Sequence, residues 1–197
     1  AITLFTDRTI QKANEIDDYA EKLEIELNEN VEIQEVKVID SEENIKNLYL
    51  SLLSKPFVIL SGISGTGKTK IVELFAEAVG ATVENGRFKL IPVRPDWSDS
   101  TDLLGYKDLK NDFIQGPLTK MIIHAYENPD FPHFVVLDEM NLARVEYYLS
   151  DFLSVIESRK FGGATIKTAP IVEFNGQSYG IPDNLYIIGT VNMDETT

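Results

Sequence analysis

Residues 62–69 read Gly-Ile-Ser-Gly-Thr-Gly-Lys-Thr, which fits the pattern G-x-x-x-x-G-K-[ST] with an additional glycine at Gly65. The apolar run 56–60 precedes this stretch, and residues 71–79 follow it with apolar side chains at helical spacing. The order predicts a strand, a glycine-rich loop and a helix that ends at Gly80. This feature constrains the fold most strongly, because such a loop needs a buried strand before it and a helix N-terminus after it.

The residue types in the loop suit the binding of phosphate. Gly62, Gly65 and Gly67 lack Cβ atoms, so the backbone can turn a row of N–H groups inward at the start of a helix. The Lys68 ammonium would lie between the β and γ phosphates of a nucleotide, and the Thr69 hydroxyl would bind the accompanying Mg²⁺. The alternative is a glycine-rich turn that matches by chance, and the flanking strand and helix argue against it.

Two acidic residues form the second chemical feature. The continuous apolar run 134–137 is typical of a strand buried on both faces of a parallel sheet, and Asp138 and Glu139 follow it directly. This position is the carboxyl edge of the sheet, where open α/β sheets bind ligands. We expect Asp138 to hold Mg²⁺ through water and Glu139 to orient and deprotonate an attacking water. The alternative is a solvated acidic turn.

A further buried strand is predicted over residues 185–191, and it ends at Asn192. Beside the acidic strand, the Asn192 side chain could contact a γ-phosphate or the attacking water. We therefore expect an α/β fold with a parallel central sheet whose carboxyl edge carries the site.

The segments between these strands carry helix and turn signals. Before the acidic strand, the sequence predicts a strand at 88–93, a short helix from Ser98 or Asp99 to Gly105, a turn at 111–112 in a small hairpin and a helix from Pro117 to about 128. After that strand, it predicts a helix over 144–158 and a hairpin around Asn175-Gly176 within 161–184. We interpret Trp97 as a packing aromatic rather than a base-stacking one. His124 and His133 are interpreted as structural rather than metal-binding.

The N-terminal part differs in composition from the rest of the chain. Residues 8–29 predict an amphipathic helix and residues 31–39 a strand, and a capping box at 40–43 starts the next helix. We expect two regions: an acidic helix and strand extension over 1–44, and the core domain over 45–197.

Composition bounds the function. The 197 residues carry a net charge of −14 and no cysteine, so bulk electrostatic binding to nucleic acid, disulfides and thiolate metal sites are excluded. No apolar run reaches membrane-spanning length, and we expect a cytoplasmic protein without a membrane partner. The chain starts without Met and stops directly after an apolar strand, so we expect it to be an excised fragment.

The order of phosphate loop, Asp-Glu strand, helix, hairpin and strand ending in Asn resembles an AAA+ NTPase over about residues 45–197. The stretches 93–97, 102–106, 137–144 and 188–192 are similar to the branch that contains McrB, the nucleotide-driven motor of modification-dependent restriction, and the dynein-related and MoxR ATPases. The resemblance implies a three-layer α/β/α fold of the P-loop NTPase class. It also implies a hexameric ring that hydrolyses NTP between subunits.

The resemblance assigns residues to roles. Asp138 and Glu139 match the Walker B acids, and Asn192 matches sensor 1. The expected catalytic residues are Glu139, Asn192 and Lys68. The expected Mg²⁺ ligands are Thr69 and Asp138. The expected nucleotide-binding residues, in the Walker A motif and just after it, are Gly62, Ile63, Ser64, Gly65, Thr66, Gly67, Lys68, Thr69 and Lys70. The last core strand, the arginine finger and the helical lid with sensor 2 would lie beyond residue 197, so the isolated fragment is expected to lack parts needed for full activity.

Two functions remain open. One is the motor of a McrB-type restriction system that uses ATP or GTP with Mg²⁺, with DNA and a nuclease subunit as partners through other parts of the parent protein. The other is a MoxR-like, ATP-dependent chaperone or scaffold that remodels protein partners. McrB proper carries Asn-Thr-Ala-Asp where this chain has residues 192–195 as Asn-Met-Asp-Glu, so the base is left open. A switch GTPase or small-molecule kinase fits less well, because the chain has no Asn-Lys-x-Asp motif.

Overall fold

A computed structural model describes residues 41–55, 57–162 and 165–193. The chain divides into two units between Tyr49 and Leu50. The predicted helix over 8–29, the predicted strand over 31–39 and the first residue of the capping box lie outside the described residues. The boundary at residue 44 therefore stays a prediction.

The described residues form six α-helices, one 3₁₀ helix and ten strands. The helices are α1 (Ser41–Ser54), α2 (Lys68–Ala78), α3 (Thr101–Leu104), α4 (Pro117–Glu127), α5 (Val145–Tyr148) and α6 (Ser150–Glu157), with the 3₁₀ helix at Met140–Leu142. The strands are β1 (Phe57–Gly62), β2 (Phe88–Pro92), β3 (Gly105–Lys107), β4 (Phe113–Gln115), β5 (His133–Asp138), β6 (Lys160–Gly162), β7 (Thr165–Lys167), β8 (Val172–Phe174), β9 (Gln177–Tyr179) and β10 (Leu185–Asn192). None of the helices in this described part is long and apolar enough to cross a membrane.

Four parallel strands make the central sheet, in the order β1, β10, β5, β2. Residues 133–137 of β5 are buried throughout, as are most residues of β10, which agrees with their continuous apolar sequences. β10 pairs with both β1 and β5, so the predicted position of Asn192 beside the acidic strand is confirmed. Gly62 is the register partner of Asn192, which brings the phosphate-loop strand to the same edge.

Helices cover both faces of this sheet. Successive side chains of a strand point to opposite faces. On one face Val135 and Leu137 join a core with buried residues of α4 and α6, such as Ile122 and Phe152. On the other face Phe134 packs edge-on against Phe75 of α2, with ring centroids 5.8 Å apart. The domain is therefore a three-layer α/β/α structure, as predicted.

The predicted helix over 144–158 is wrong in one respect, because the structure breaks it into α5 and α6 at Leu149 (φ −110°, ψ 0°). Leucine is a good helix former and gives no signal of a break. Tertiary packing decides instead: Tyr148 and Leu149 are both fully buried, and the Tyr148 hydroxyl donates to the Met140 carbonyl at 3.1 Å. These contacts fix the end of α5 to the turn after β5.

Three small hairpins lie outside the central sheet: β3–β4, β6–β7 and β8–β9. The turns at Asn111 (φ 66°) and at Asn175-Gly176 (φ 50° and 75°) confirm two predicted hairpins. The β6–β7 hairpin, which begins at Lys160, was not predicted. Trp97 is buried and packs edge-on against Tyr148, with ring centroids 5.3 Å apart, so its interpretation as a packing residue is confirmed.

Candidate functional site

The loop after β1 has the backbone that its glycines permit. Gly65 and Gly67 both have φ of +79°, in the left-handed region, and α2 begins directly afterwards at Lys68. A Cβ atom at either position would meet nothing within 4 Å, so the need for glycine is one of backbone conformation rather than space. Within the described part of the chain, the N–H groups of Gly65, Gly67, Lys68 and Thr69 donate to no protein acceptor. They are donors free for an anion at the start of a helix.

The Lys68 side chain folds back over this loop. Its Nζ donates to the carbonyl of Gly62 at 3.0 Å and to that of Ile63 at 2.8 Å. The Thr66 hydroxyl donates to the same Ile63 carbonyl at 2.9 Å. Gly62, Ile63 and Thr66 thus shape the loop through their backbone and hydroxyl groups, while the ammonium group lies at its rim.

Thr69 and Asp138 meet across the first and third strands of the sheet. The Thr69 hydroxyl donates to Asp138 Oδ1 at 2.7 Å, although the two residues are 69 positions apart in the sequence. Hard oxygen donors of this kind, one hydroxyl and one carboxylate, suit Mg²⁺, which takes its other ligands from water and phosphate. The donor set therefore fits the metal that the sequence predicts.

Glu139 and Asn192 form the second pair. Asn192 Nδ2 donates to Glu139 Oε1 at 2.6 Å, and Asn141 Nδ2 donates to the Asn192 carbonyl at 3.3 Å. The Met193 N–H donates to the Gly62 carbonyl at 3.1 Å, which ties the end of β10 to the beginning of the phosphate loop. The acid, the amide and the loop are thus held together by direct hydrogen bonds.

These side chains line one cleft of about 330 Å³. Its lining residues are Ser64, Gly65, Gly67, Lys68, Thr69, Lys70, Asp138, Glu139, Thr190 and Asn192. Of the predicted site residues, Gly62, Ile63 and Thr66 do not line the cleft. Lys70 lines it, but its Nζ also pairs with Glu73 Oε2 at 2.9 Å on the surface of α2.

Thr190 is the functional residue that sequence reasoning did not assign. Its hydroxyl donates to Asp138 Oδ1 and accepts the Glu139 N–H, each at 2.9 Å. Thr190 precedes Asn192 by two residues on β10, so the two side chains share a face. That spacing, together with a polar residue in an otherwise apolar strand, is the signal that could have identified it.

The two histidines lie in the core layer rather than in the cleft. His133 Nδ1 donates to the Phe131 carbonyl at 2.9 Å, so its Nε2 accepts from His124 Nδ1, also at 2.9 Å. Burial lowers the pKa of His133 from 6.5 to about 4. Among the described residues, no group of three or more His, Asp or Glu side chains could hold a metal ion.

A parallel sheet with a glycine loop at one strand end, two acids at another and an amide at a third defines the class of P-loop NTPases. Over residues 57–195 the chain matches the family described as AAA domain (dynein-related subfamily). The chain therefore belongs to this family of AAA+ modules, and it is similar in sequence to proteins of the McrB and MoxR type.

The two named relatives have low sequence identity to this chain. The chain is 24% identical over 153 residues to the type IV methyl-directed restriction enzyme EcoKMcrB subunit of Escherichia coli K12, covering 77% of this chain and 33% of that protein. It is 28% identical over 168 residues to chaperone MoxR1 of Mycobacterium tuberculosis, covering 83% and 37%. A crystal structure of a candidate ATPase from Cytophaga hutchinsonii aligns with a TM-score of 0.53 at 18% identity, over 93% of this chain and 45% of that one. The chain thus spans about a third of the length of the two named relatives, and the solved structure supports the fold alone.

Proposed function

We propose that this module binds a nucleoside triphosphate with Mg²⁺ and hydrolyses the bond between its β and γ phosphates. The observation that carries the proposal is the convergence in one cleft of the phosphate loop, the Thr69–Asp138 pair and the Glu139–Asn192 pair. Each of these groups is a separate requirement of phosphoanhydride hydrolysis.

Binding uses the loop and its lysine. The free N–H groups of Gly65, Gly67, Lys68 and Thr69 would donate to phosphate oxygens, and the Lys68 ammonium would add a point charge. Thr69 and Asp138 would supply oxygen atoms to hold Mg²⁺, and the bound ion would neutralise charge on the phosphates.

Hydrolysis uses the pair formed by Glu139 and Asn192. Asn192 Nδ2 donates to Glu139 Oε1, which fixes the carboxylate and leaves its other oxygen to accept a proton from the attacking water. Glu139 is therefore assigned as the general base and Asn192 as the residue that orients it.

The cellular role proposed is that of the motor of a modification-dependent restriction system. The support is the similarity to the EcoKMcrB subunit, which is 24% identical over 153 residues and covers 77% of this chain. In this proposal the modules assemble as a ring of copies, with DNA and a nuclease subunit engaged by other parts of the protein.

A remodelling chaperone is the second candidate. It is supported by the similarity to MoxR1, which is slightly greater in identity and in the share of this chain covered. Both roles use the same nucleotide cleft, so they differ in the partner that nucleotide hydrolysis acts on.

The two roles separate in one experiment on the full-length protein. Calorimetric titration with ATP and with GTP, each with Mg²⁺, gives the base preference, and a turnover assay with and without methylated DNA gives the response to substrate. The restriction motor predicts turnover stimulated by methylated DNA. Turnover that is indifferent to DNA and changes with a protein client would favour the chaperone, and the absence of nucleotide binding would contradict both.

A further inference from the structure

Thr190 is one of the few polar residues buried in the described core, with 2% of its surface exposed. It lies near the end of β10, the strand that pairs with β5, whose last residue Asp138 is followed by Glu139. A buried hydroxyl is retained at a cost unless its hydrogen bonds are satisfied. The Thr190 hydroxyl donates one hydrogen bond and accepts another, and its partners belong to Asp138 and Glu139, which both line the cleft.

The first bond orients Asp138. Thr190 Oγ1 donates to Asp138 Oδ1 at 2.9 Å, and the Thr69 hydroxyl donates to the same oxygen at 2.7 Å. Two donors on Oδ1 fix the rotation of the carboxylate. The other oxygen, Oδ2, would then be available to accept a hydrogen bond from a water ligand of Mg²⁺.

The second bond holds the backbone of Glu139. This residue has φ 52° and ψ 48°, a left-handed conformation that costs a non-glycine residue about 1–2 kcal/mol. Its N–H donates to Thr190 Oγ1 at 2.9 Å, and its carbonyl accepts the Leu142 N–H at 2.9 Å. The left-handed turn directs the Glu139 side chain toward Asn192 of the neighbouring strand. Strained backbone at such a place persists only where surrounding contacts fix it.

We propose that Thr190 is a positioning residue, whose single hydroxyl group orients both the metal-binding Asp138 and the water-activating Glu139. This role of Thr190 rests on the proposed function. Because the same oxygen serves both acids, its loss disturbs two steps together. The Mg²⁺-dependent part of nucleotide binding weakens through Asp138, and the catalytic step slows through Glu139.

The test uses Thr190→Val, which keeps the shape and removes the hydroxyl, and Thr190→Ser, which keeps the hydroxyl and removes a methyl group. Thr119→Val is the matched control. Thr119 is also a fully buried threonine, and its hydroxyl donates to the Leu104 carbonyl, but it does not line the cleft. Thr190→Ala supplies a second hydroxyl-free variant, should the valine variant fail to fold.

Three quantities are measured on the full-length protein: nucleotide affinity with Mg²⁺ and with EDTA, kcat and KM of hydrolysis, and the midpoint of chemical unfolding. In Thr190→Val we expect kcat to fall by about 10- to 100-fold, the range found for residues that orient metal ligands. The gain in affinity on adding Mg²⁺ should shrink by about tenfold, with little change in EDTA. Thr190→Ser should restore both, and Thr119→Val should lower the unfolding midpoint alone.

The positioning role is overturned if Thr190→Val behaves like Thr119→Val, losing stability without loss of turnover or of the Mg²⁺ effect. It is also overturned if folded Thr190→Ser is as defective as Thr190→Val, since the hydroxyl would then be irrelevant. If the unmutated protein itself shows neither Mg²⁺-dependent binding nor turnover, the proposed function fails, and the role of Thr190 fails with it.

Discussion

Glu139 lies at a point where chemistry and backbone strain meet. It follows the buried strand β5 in a left-handed conformation, and its N–H, carbonyl and side chain are each held by a different residue: Thr190, Leu142 and Asn192. A carboxylate fixed in this way needs little reorganisation when a water molecule comes within reach. The rigidity of the site therefore comes from three hydrogen bonds around one residue.

His133 gives a prediction on stability. It is fully buried, with His124 and Asn184 in contact and the positive charge of Arg87 nearby, and burial lowers its pKa to about 4. In the unfolded chain the pKa returns to about 6.5, so the unfolded state binds more protons between these two values. The stability that neutral His133 contributes is complete above pH 6.5 and is lost as the pH falls from 6.5 to about 4.

The measurement is the unfolding free energy at pH 7.5 and pH 5, for the unmutated protein and for His133→Gln. Carboxylates titrate in both proteins, so the difference between the two losses isolates His133. We expect the unmutated protein to lose on the order of 1 kcal/mol more than the variant over this range. Equal losses would show that His133 titrates in the folded state as it does in water.

At the residue level the sequence predicted the cleft well, because motif spacing reports chemistry directly. Lys68, Thr69, Asp138, Glu139 and Asn192 all line one cleft, as expected. Thr190 was not assigned, because the sequence does not show that its hydroxyl bonds both the Asp138 carboxylate and the Glu139 N–H. The left-handed backbone of Glu139 was also beyond prediction, since glutamate carries no preference for it.

Among the elements, the β3–β4 hairpin depends on a glycine, because the backbone of Gly105 in β3 lies very close to the end of β4. Gly105 has φ 109° and ψ 177°, a region open essentially only to glycine. A Cβ atom there would clash with the Ile114 carbonyl oxygen and lie 2.6 Å from the Gly116 nitrogen. The hairpin and the helices on either side of it can meet only while this position is glycine.

We therefore expect Gly105→Ala to lower the unfolding free energy by about 3 kcal/mol or more, through combined strain and overlap. Gly176→Ala is the control, because Gly176 also has a positive φ (75°) but open space around its Cβ position. Its cost should be only about 1–2 kcal/mol, the strain of the left-handed backbone. Chemical denaturation of both variants makes the comparison, and similar losses would refute the close approach at Gly105.

Elements with strong local signals were predicted correctly, and elements set by distant contacts were not. The turns at Asn111 and Asn175-Gly176 carry their own backbone preference, and both hairpins formed. The break at Leu149 has no such preference and depends on the burial of Tyr148 against the turn after β5. Local sequence cannot report a contact of that kind.

For the molecule as a whole, the strand order creates the site. β10 lies between β1 and β5, so the ends of three strands that are far apart in sequence meet at one edge. The sequence predicted that β10 lies beside β5, but hydrophobic runs alone do not give the full order. Since the phosphate loop, the acids and Asn192 come from separate strands, the cleft exists only in the folded domain.

The paired measurement of nucleotide affinity and turnover in Glu139→Gln tests this account most directly. The glutamine keeps the shape and the cleft but cannot take a proton. We expect affinity within about twofold of the unmutated protein and a kcat lower by about 10²- to 10⁴-fold, the contribution of a general base. Lys68→Ala should instead abolish binding, and Glu127→Gln, an exposed residue at the end of α4, should change neither quantity. A Glu139→Gln variant that hydrolyses at the parental rate would contradict the account, because the carboxylate would then have no part in activating water.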